Sequence, residues 1–265
     1  MNGYKVLGAV AIGLILPLFF IKSFAADVTV PDDLPALIER SKPSVVLLGT
    51  YSETDSPRFT FRGSGFVVAD GNHAVTNAHV LPEAVTGSGD RRLTVQIRRS
   101  ASDWTARSAE VVVLDKAHDL ALLRFNGVPA PALPLASGAA REGTAIALMG
   151  FPLGGALGFS TVTHRGIIAA ITAIALPLPT TQGLNERAVR QLRDGAFSIL
   201  QLDATAYPGN SGGPVLDIRS GEVVGVINMV LVRGSKETAL RQPSGITYAI
   251  PVEHVERLLS GISQR

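Results

Sequence analysis

The feature that most constrains this chain is a long succession of short apolar runs of β type, interrupted once near the middle. The runs are about four to eight residues long, rich in Val, Leu and Thr, and bounded by Gly, Pro, Asp or Ser, which is the pattern of strands joined by tight turns. A proline-rich passage without periodicity, residues 127–143, separates the runs into two blocks. The pattern therefore predicts an all-β fold of two six-stranded antiparallel β-barrels, over about residues 44–135 and 140–250.

A helix is predicted on each side of this β region. Residues 26–43 form an N-terminal segment in which Asp32 to Ser41 has helical character. Near the other end, Pro251 opens a stretch with apolar residues at helical spacing. The residues on its apolar face are Val252, Val255, Leu258 and Leu259. This spacing predicts a C-terminal helix over residues 251–263, at the end of a single domain that spans residues 44–265.

The first 25 residues have the pattern of a secretory signal peptide. Lys5 precedes an uncharged apolar run over residues 6–21, and small residues follow as far as Ala25, so cleavage after Ala25 is expected. The run contains Pro17 and is short for a transmembrane helix. A membrane anchor formed by residues 6–21 and left uncleaved is the alternative interpretation. In either case the globular part is exported.

Charge and cysteine content exclude several classes of function. Residues 1–25 hold two lysines and no acid, so the remaining chain is balanced between basic and acidic side chains. A balanced chain lacks the basic excess that binds nucleic acid. Cysteine is absent, which excludes both a disulfide framework and a thiolate metal site. Export without cysteine favours a bacterial periplasm or cell envelope.

Three segments carry the residue types of nucleophilic catalysis. His79 lies near the end of AVTNAHVL, Asp119 precedes the apolar run LALL, and Ser211 lies in the turn PGNSGGP. A serine hydroxyl becomes a good nucleophile when an imidazole removes its proton, and a carboxylate holds that imidazole in the correct tautomer. Glycines beside the serine allow backbone amides to converge on a developing oxyanion. Asp115 is the nearest rival of Asp119 for the carboxylate.

The order of these residues along the chain distinguishes two classes of hydrolase. The segment GNSGG also matches the G-x-S-x-G turn of α/β-hydrolases, whose acid and histidine follow the serine; Asp217 and His254 could supply them. That turn requires a helix directly after the serine, but proline and further β-type residues follow Ser211. The order His79, Asp119, Ser211 instead matches the chymotrypsin arrangement. An esterase of the α/β-hydrolase type is therefore disfavoured.

Several motifs in a fixed order resemble one protease family. The segments GSGFVV, TNAHV, DLALLRF, IALMGFPLG, GNSGGP and GITYAIP occur between about Ser44 and Leu259, and together they resemble the HtrA/Deg serine proteases of trypsin-like fold. The resemblance implies an exported serine endopeptidase that cleaves unfolded or misfolded proteins through an acyl-enzyme. It implies no metal ion and no other cofactor.

The same resemblance implies a role for each candidate catalytic residue. His79 is the expected general base, Asp119 its orienting partner and Ser211 the nucleophile. The expected oxyanion hole lies at Gly209, Asn210 and Ser211, with the backbone amides of Gly209 and Ser211 as donors and Asn210 shaping the turn between them.

The resemblance also indicates which residues contact the substrate. Digestive trypsins carry an acid six residues before the nucleophile, where this chain has Thr205, so cleavage after Lys or Arg is not expected. Ala206, Asn228 and Val230 are expected to line a small apolar pocket that favours Val, Ala or similar side chains. The edge around Asn228, Met229 and Val230 is expected to pair with an extended peptide, as strand addition requires.

Partners and regulation are expected to follow the family in part. HtrA proteins usually form trimers through an N-terminal segment, which implies a homotrimer here. Most also carry C-terminal PDZ domains, and we expect none after the C-terminal helix of this chain. A second hypothesis is a protease-fold holdase or scaffold that binds unfolded chains but cleaves them poorly.

The remaining histidines and one long loop are not expected to supply catalytic residues. We interpret His73, His118, His164 and His254 as surface or loop histidines without a catalytic role. The weakly patterned segment 177–195 is either a tolerated surface insertion or a loop that gates the site.

Overall fold

The structure is a computed structural model that describes residues 33–82, 91–100, 103–154, 158–174, 197–228 and 246–261. The signal-peptide interpretation, the loop 177–195 and the candidate substrate residues Met229 and Val230 lie outside the described residues. Twelve strands are described. They are β1 (Val45–Tyr51), β2 (Phe59–Val68), β3 (His73–Thr76), β4 (Arg92–Arg98), β5 (Trp104–Asp115), β6 (Leu120–Phe125), β7 (Ala145–Gly150), β8 (Val162–Ile174), β9 (Phe197–Asp203), β10 (Pro214–Asp217), β11 (Val223–Asn228) and β12 (Ile246–Pro251).

The strands form two closed barrels of six strands each. In the first barrel the order is β1-β2-β3-β6-β5-β4, and in the second it is β10-β11-β12-β9-β8-β7. Every pairing within the barrels is antiparallel. Closure leaves no free strand edge around either barrel. The predicted all-β fold of two six-stranded barrels with a C-terminal helix is confirmed.

Several strands are apolar on both faces because each face meets a different apolar layer. In β1, Val46 and Leu48 pack inside the first barrel, whereas Val45 and Leu47 join a cluster that draws residues from both barrels. Since successive side chains alternate between the faces of a strand, the run VVLL serves both layers. The strands β6 and β7 alternate in the same way between a barrel interior and the shared layer.

Two α-helices flank the barrels. Helix α1 (Leu34–Ser41) begins where the Asp33 side chain accepts a hydrogen bond from the amide of Ala36, and Pro35 stands near its start, as expected of a helix N-terminus. Helix α2 (Glu253–Ser260) buries the predicted apolar face against the shared layer and packs on β6. Within the described ranges, neither helix is long and apolar enough to cross a bilayer.

Candidate active site

His79 and Asp119 meet at one end of the first barrel. His79 lies in a short 3₁₀ helix, Ala78–Val80, that follows β3. Asp119 occupies the turn between β5 and β6 with a φ of 52°, a left-handed conformation that Asp tolerates better than most residues. Oδ2 of Asp119 lies 2.6 Å from Nδ1 of His79, and Oδ1 accepts a 2.9 Å hydrogen bond from the His79 amide. The carboxylate therefore fixes both the ring and the backbone of His79.

The direction of this contact determines the tautomer of the imidazole. A carboxylate accepts from Nδ1–H, so the lone pair of neutral His79 is on Nε2. The side chain of His79 is 32% exposed and that of Asp119 is 12% exposed. The imidazole is thus partly exposed, while the acid behind it is largely shielded from water.

Hydrogen bonds to backbone carbonyls also hold the His79 segment next to the Asp119 turn, independently of the Asp119 carboxylate. The carbonyl of Asp119 accepts hydrogen bonds from the Ala78 amide and from Nδ2 of Asn77, each 3.1 Å long. On the far side of the histidine, Nε of Arg62 donates to the Val80 carbonyl over 2.6 Å, and Nη2 donates to the Leu81 carbonyl over 3.1 Å. Sequence reasoning missed Arg62, because an arginine on an alternating strand is normally a solvated face residue.

Asp115, the rival carboxylate, is engaged elsewhere. Its Oδ2 lies 2.6 Å from Nδ1 of His118, and its Oδ1 accepts from the amides of Ala117 and His118. The geometry thus pairs Asp119, and not Asp115, with His79.

Ser211 lies in a turn between β9 and β10 whose carbonyl groups are held by neighbouring donors. The Pro208 carbonyl accepts from the Leu153 amide over 2.8 Å. The Gly209 carbonyl accepts from the hydroxyl of Ser64 over 2.6 Å. Gly209 has a φ of 104°, which glycine adopts without strain. Neither the Gly209 amide nor the Ser211 amide donates to another residue of the described ranges, so both remain available as oxyanion donors.

The Ser211 turn lies against the segments that surround His79. The Ser211 carbonyl accepts a 2.9 Å hydrogen bond from the Ser64 amide. A methyl group placed on Gly63 would approach Val80 to 2.7 Å and the Ser211 carbonyl to 3.2 Å. One on Gly212 would lie 3.1 Å from the Asn77 amide. The hydrogen bonds within the described ranges do not include one between His79 Nε2 and Ser211 Oγ.

The structure gives different roles to the two described residues that were expected to contact the substrate, Asn228 and Ala206. Nδ2 of Asn228 donates a 2.8 Å hydrogen bond to Oδ2 of Asp119, and Asn228 is fully buried. Its side chain thus supports the candidate catalytic carboxylate, a role that sequence reasoning did not foresee. Ala206 is 8% exposed, and its amide donates to Oγ1 of Thr247, which in turn donates to the Ala204 carbonyl. Thr247, also missed, thereby fixes the backbone on which Ala206 stands.

Asn210 has a buried side chain that forms no hydrogen bond with the described residues, at either its amide nitrogen or its oxygen. Its backbone amide donates to the Tyr207 carbonyl, and its carbonyl accepts from the Gly213 amide. Those two bonds close the turn around Ser211. No cluster of three or more His, Cys, Asp or Glu side chains suited to a metal ion occurs in the described part of the chain.

The remaining histidines form contacts more varied than a surface interpretation implies. His254, expected on a surface or loop, is instead buried in α2 and 7% exposed. Its ring lies 4.0 Å from that of His118, centroid to centroid, and Phe197 packs against both. The interpretation failed because the apolar face of α2 includes position 254, one residue before Val255. Partial burial of His164 lowers the pKa of its imidazole.

A family comparison matches the same region of the chain. The sequence profile described as a trypsin-like peptidase domain matches residues 63–226, which contain His79, Asp119 and Ser211. The match begins within β2 of the first barrel and ends within β11 of the second, beyond the Ser211 turn.

Full-length relatives share this region. The chain is 30% identical over 205 residues to serine protease HTRA3 of Mus musculus, a match that covers 75% of this chain and 37% of the relative. It is 33% identical over 230 residues to mitochondrial serine protease HTRA2 of Bos taurus, covering 84% of this chain and 42% of the relative. This chain thus spans less than half the length of these curated relatives.

A solved structure has the same fold. The serine endoprotease from Yersinia pestis matches with a TM-score of 0.59 and 25% identity, over 86% of this chain and 65% of that one.

Proposed function

Because this chain is an HtrA-like member of the trypsin-like peptidase family, we propose that it is a serine endopeptidase whose catalytic residues are His79, Asp119 and Ser211. The observation that carries the proposal is the 2.6 Å contact between Asp119 and Nδ1 of His79, beside a turn in which the Gly209 and Ser211 amides have no acceptor among the described residues.

This arrangement supports acyl transfer in two stages. Nε2 of His79 takes the proton from Ser211 Oγ as the oxygen attacks a peptide carbonyl, and Asp119 stabilises the imidazolium that forms. The amides of Gly209 and Ser211 donate to the oxyanion of the tetrahedral intermediate. His79 then gives its proton to the departing amine, leaving an acyl-enzyme on Ser211. Water, deprotonated by His79, hydrolyses the acyl-enzyme by the same steps in reverse.

The proposed substrate is an unfolded or misfolded polypeptide, cleaved after small aliphatic residues. Thr205 stands where digestive trypsins have an acid, and the neighbouring Ala206 presents only a methyl group. Thr247 holds this wall through two hydrogen bonds. A pocket with these residues on one side favours Val or Ala and gives no counter-ion to Lys or Arg. Met229 and Val230 complete the proposed peptide-binding strand.

We further propose that the protein works outside the cytoplasm, in a periplasm or cell envelope, and assembles as a homotrimer. The support for export is the signal-like pattern of residues 1–25. N-terminal sequencing of the mature protein tests cleavage after Ala25 against an uncleaved anchor over residues 6–21.

The test of the proposed activity compares the wild type with Ser211→Ala. We expect the wild type to degrade an unfolded protein such as reduced casein and to react stoichiometrically with a fluorophosphonate, and Ser211→Ala to do neither. Intact-mass measurement gives the number of labels per chain, and peptide mapping of the labelled protein locates the label on Ser211. Binding of casein without cleavage, together with no labelling, would instead support the holdase hypothesis. Rapid hydrolysis of nitrophenyl esters with casein left intact would support an esterase.

A further inference from the structure

The residue that links the two halves of the candidate site is a serine on β2. Ser64 is fully buried, and it forms hydrogen bonds through every polar group it has. Its amide donates to the Ser211 carbonyl over 2.9 Å. Its hydroxyl donates to the Gly209 carbonyl over 2.6 Å and accepts from the Phe151 amide over 3.0 Å. Its carbonyl accepts from Oγ1 of Thr76 over 2.8 Å.

These bonds reach both ends of the Gly209–Ser211 turn. Gly209 supplies one proposed oxyanion donor and Ser211 supplies the other together with the nucleophile. Each of these two residues has its carbonyl bound to Ser64, one through the side chain and one through the backbone. The Gly209 carbonyl belongs to the Gly209–Asn210 peptide unit, which lies between the two proposed donors. Because each peptide unit is planar, a hydrogen bond that fixes this carbonyl fixes the orientation of the unit that connects them.

The hydroxyl of Ser64 is held in a single direction by its surroundings. The Phe151 amide donates to one of its lone pairs, and its proton is directed to the Gly209 carbonyl. Space for the hydroxyl depends on Gly150. A methyl group at Gly150 would lie 3.0 Å from Ser64 Oγ and 2.8 Å from Asn210 Oδ1, so a larger residue there would press on both the serine and the turn.

We propose that Ser64 is a positioning residue that holds the oxyanion turn in its reactive conformation, through the hydrogen bond from its hydroxyl to the Gly209 carbonyl. With the Gly209 carbonyl held away from the reaction centre, the Gly209 and Ser211 amides face the developing oxyanion. The assignment rests on the proposed peptidase function, since it matters only if a peptide carbonyl reacts at Ser211. Ser64 itself does not contact the substrate.

The kinetic test uses Ser64→Ala, with Ser41→Ala as the matched control at another buried serine. Deleting a direct oxyanion donor typically costs about 10²- to 10³-fold in kcat. Losing the group that aligns the donors should cost somewhat less. We expect kcat of Ser64→Ala on a fluorogenic peptide to fall about 10- to 100-fold with KM within about twofold, and Ser41→Ala to keep the wild-type values.

A second measurement separates positioning from a general structural role. A peptidyl aldehyde forms a hemiacetal oxyanion with Ser211, and its affinity should fall by about the same factor as kcat. The dissociation constant of an uncleaved substrate peptide, measured in the Ser211→Ala background with and without Ser64→Ala, should be unchanged. Equal weakening of peptide and aldehyde, or aldehyde affinity that stays at the wild-type level, would overturn the assignment.

A crystal structure of Ser64→Ala decides the question even if the wild type proves inactive, so failure of the peptidase proposal is distinguishable from failure of this one. We expect the Gly209–Asn210 peptide to be rotated or disordered, and an unchanged turn would overturn the proposal. Should Ser64→Ala fail to fold, Ser64→Cys keeps the volume with a weak donor and should show the same losses. Failure of both variants to fold would assign Ser64 to the folding core and overturn its positioning role.

Discussion

The side-chain amide of Asn228 donates a 2.8 Å hydrogen bond to the carboxylate of Asp119, so the second barrel holds an acid that the first barrel supplies. The same Oδ2 atom of Asp119 lies 2.6 Å from Nδ1 of His79. Asn228 thus sits behind the candidate catalytic pair and opposes rotation of the carboxylate. The amide nitrogen can only donate, which suits an ionised acid.

We predict that Asn228→Ala lowers kcat/KM about tenfold or more. A hydrogen bond to a charged group contributes roughly 1.5–3 kcal/mol, and its loss frees the carboxylate that aligns His79. The measurement is steady-state hydrolysis of a fluorogenic peptide, together with urea unfolding. Asn72→Ala is the matched control, since Nδ2 of Asn72 donates to the Phe125 and Gly127 carbonyls. The control should lose stability but keep its activity. Equal kinetic effects of the two variants would contradict the prediction.

Arg62 should matter for catalysis without contacting the substrate. Its guanidinium binds the carbonyls of Val80 and Leu81, directly after His79. Arg62→Met removes both hydrogen bonds and loosens the 3₁₀ helix that carries the imidazole. We expect kcat/KM to fall about tenfold, in line with about 1.5 kcal/mol for one charged hydrogen bond. Arg58→Met, an exposed arginine nearby in sequence, serves as control. Wild-type activity in Arg62→Met would show that the 3₁₀ helix holds its position unaided.

Thr247 is predicted to influence substrate selectivity. Thr247→Val keeps the approximate volume but leaves the buried Ala206 amide and Ala204 carbonyl without the Thr247 hydroxyl. The expected cost is roughly 1–3 kcal/mol in the free energy of unfolding. The wall that carries Ala206 should also become less rigid, so the ratio of kcat/KM for Val over Phe at the cleavage site should fall. Thr94→Val, at a buried threonine of the first barrel, should leave that ratio unchanged.

Acid should destabilise the folded chain partly through His254. Its pKa is lowered to about 4, mainly by burial and also by the charges of His118 and Arg257, whereas the charge of Asp115 acts in the opposite direction. Glu253, the residue before His254 on α2, has a buried carboxylate oxygen, Oε2, that forms no hydrogen bond with the described residues. An unfolded histidine titrates near 6.5. The unfolded chain therefore binds the extra proton between pH 6.5 and 4, and stability falls as the pH drops through this window.

The measurement is the urea-unfolding free energy of the wild type and His254→Gln at pH 7 and pH 4.5. A shift of this size corresponds to about 2 kcal/mol lost by the wild type over that interval. His254→Gln cannot titrate and should lose correspondingly less. His73→Gln, whose Nδ1 lies 2.8 Å from Asp70 at the surface, should not reduce the acid sensitivity in this way. Identical pH dependence in the wild type and His254→Gln would refute the role of His254.

The sequence predicted the barrels well because strand pattern and turn chemistry are local properties. The runs VVLL in β1 and LALL in β6 belong to the predicted β-type segments, and the structure explains their lack of polar alternation by two apolar layers. The motif order paired His79 with Asp119, and in the structure their side chains lie 2.6 Å apart. Helix α2 was predicted with its buried face, although the described helix ends at Ser260.

Contacts between residues distant in sequence could not be predicted in this way. Asn228 and Asp119 are 109 residues apart, and Ser64 and Gly209 are 145 residues apart. Periodicity places Asn228 at the end of a strand but does not say which carboxylate its amide reaches. Ser64 looks like an ordinary small residue between glycines. Three of its four hydrogen bonds, to Phe151, Gly209 and Ser211, exist only once the two barrels have packed together.

The shared apolar layer between the barrels has a consequence during synthesis. His79, Asp119 and Ser64 belong to the first half of the chain, whereas Ser211, Gly209 and Asn228 come from the second. A nascent chain that has only completed its first barrel holds a base without a nucleophile. If the chain has the proposed peptidase function, peptide hydrolysis therefore requires synthesis of the second barrel and its docking onto the first.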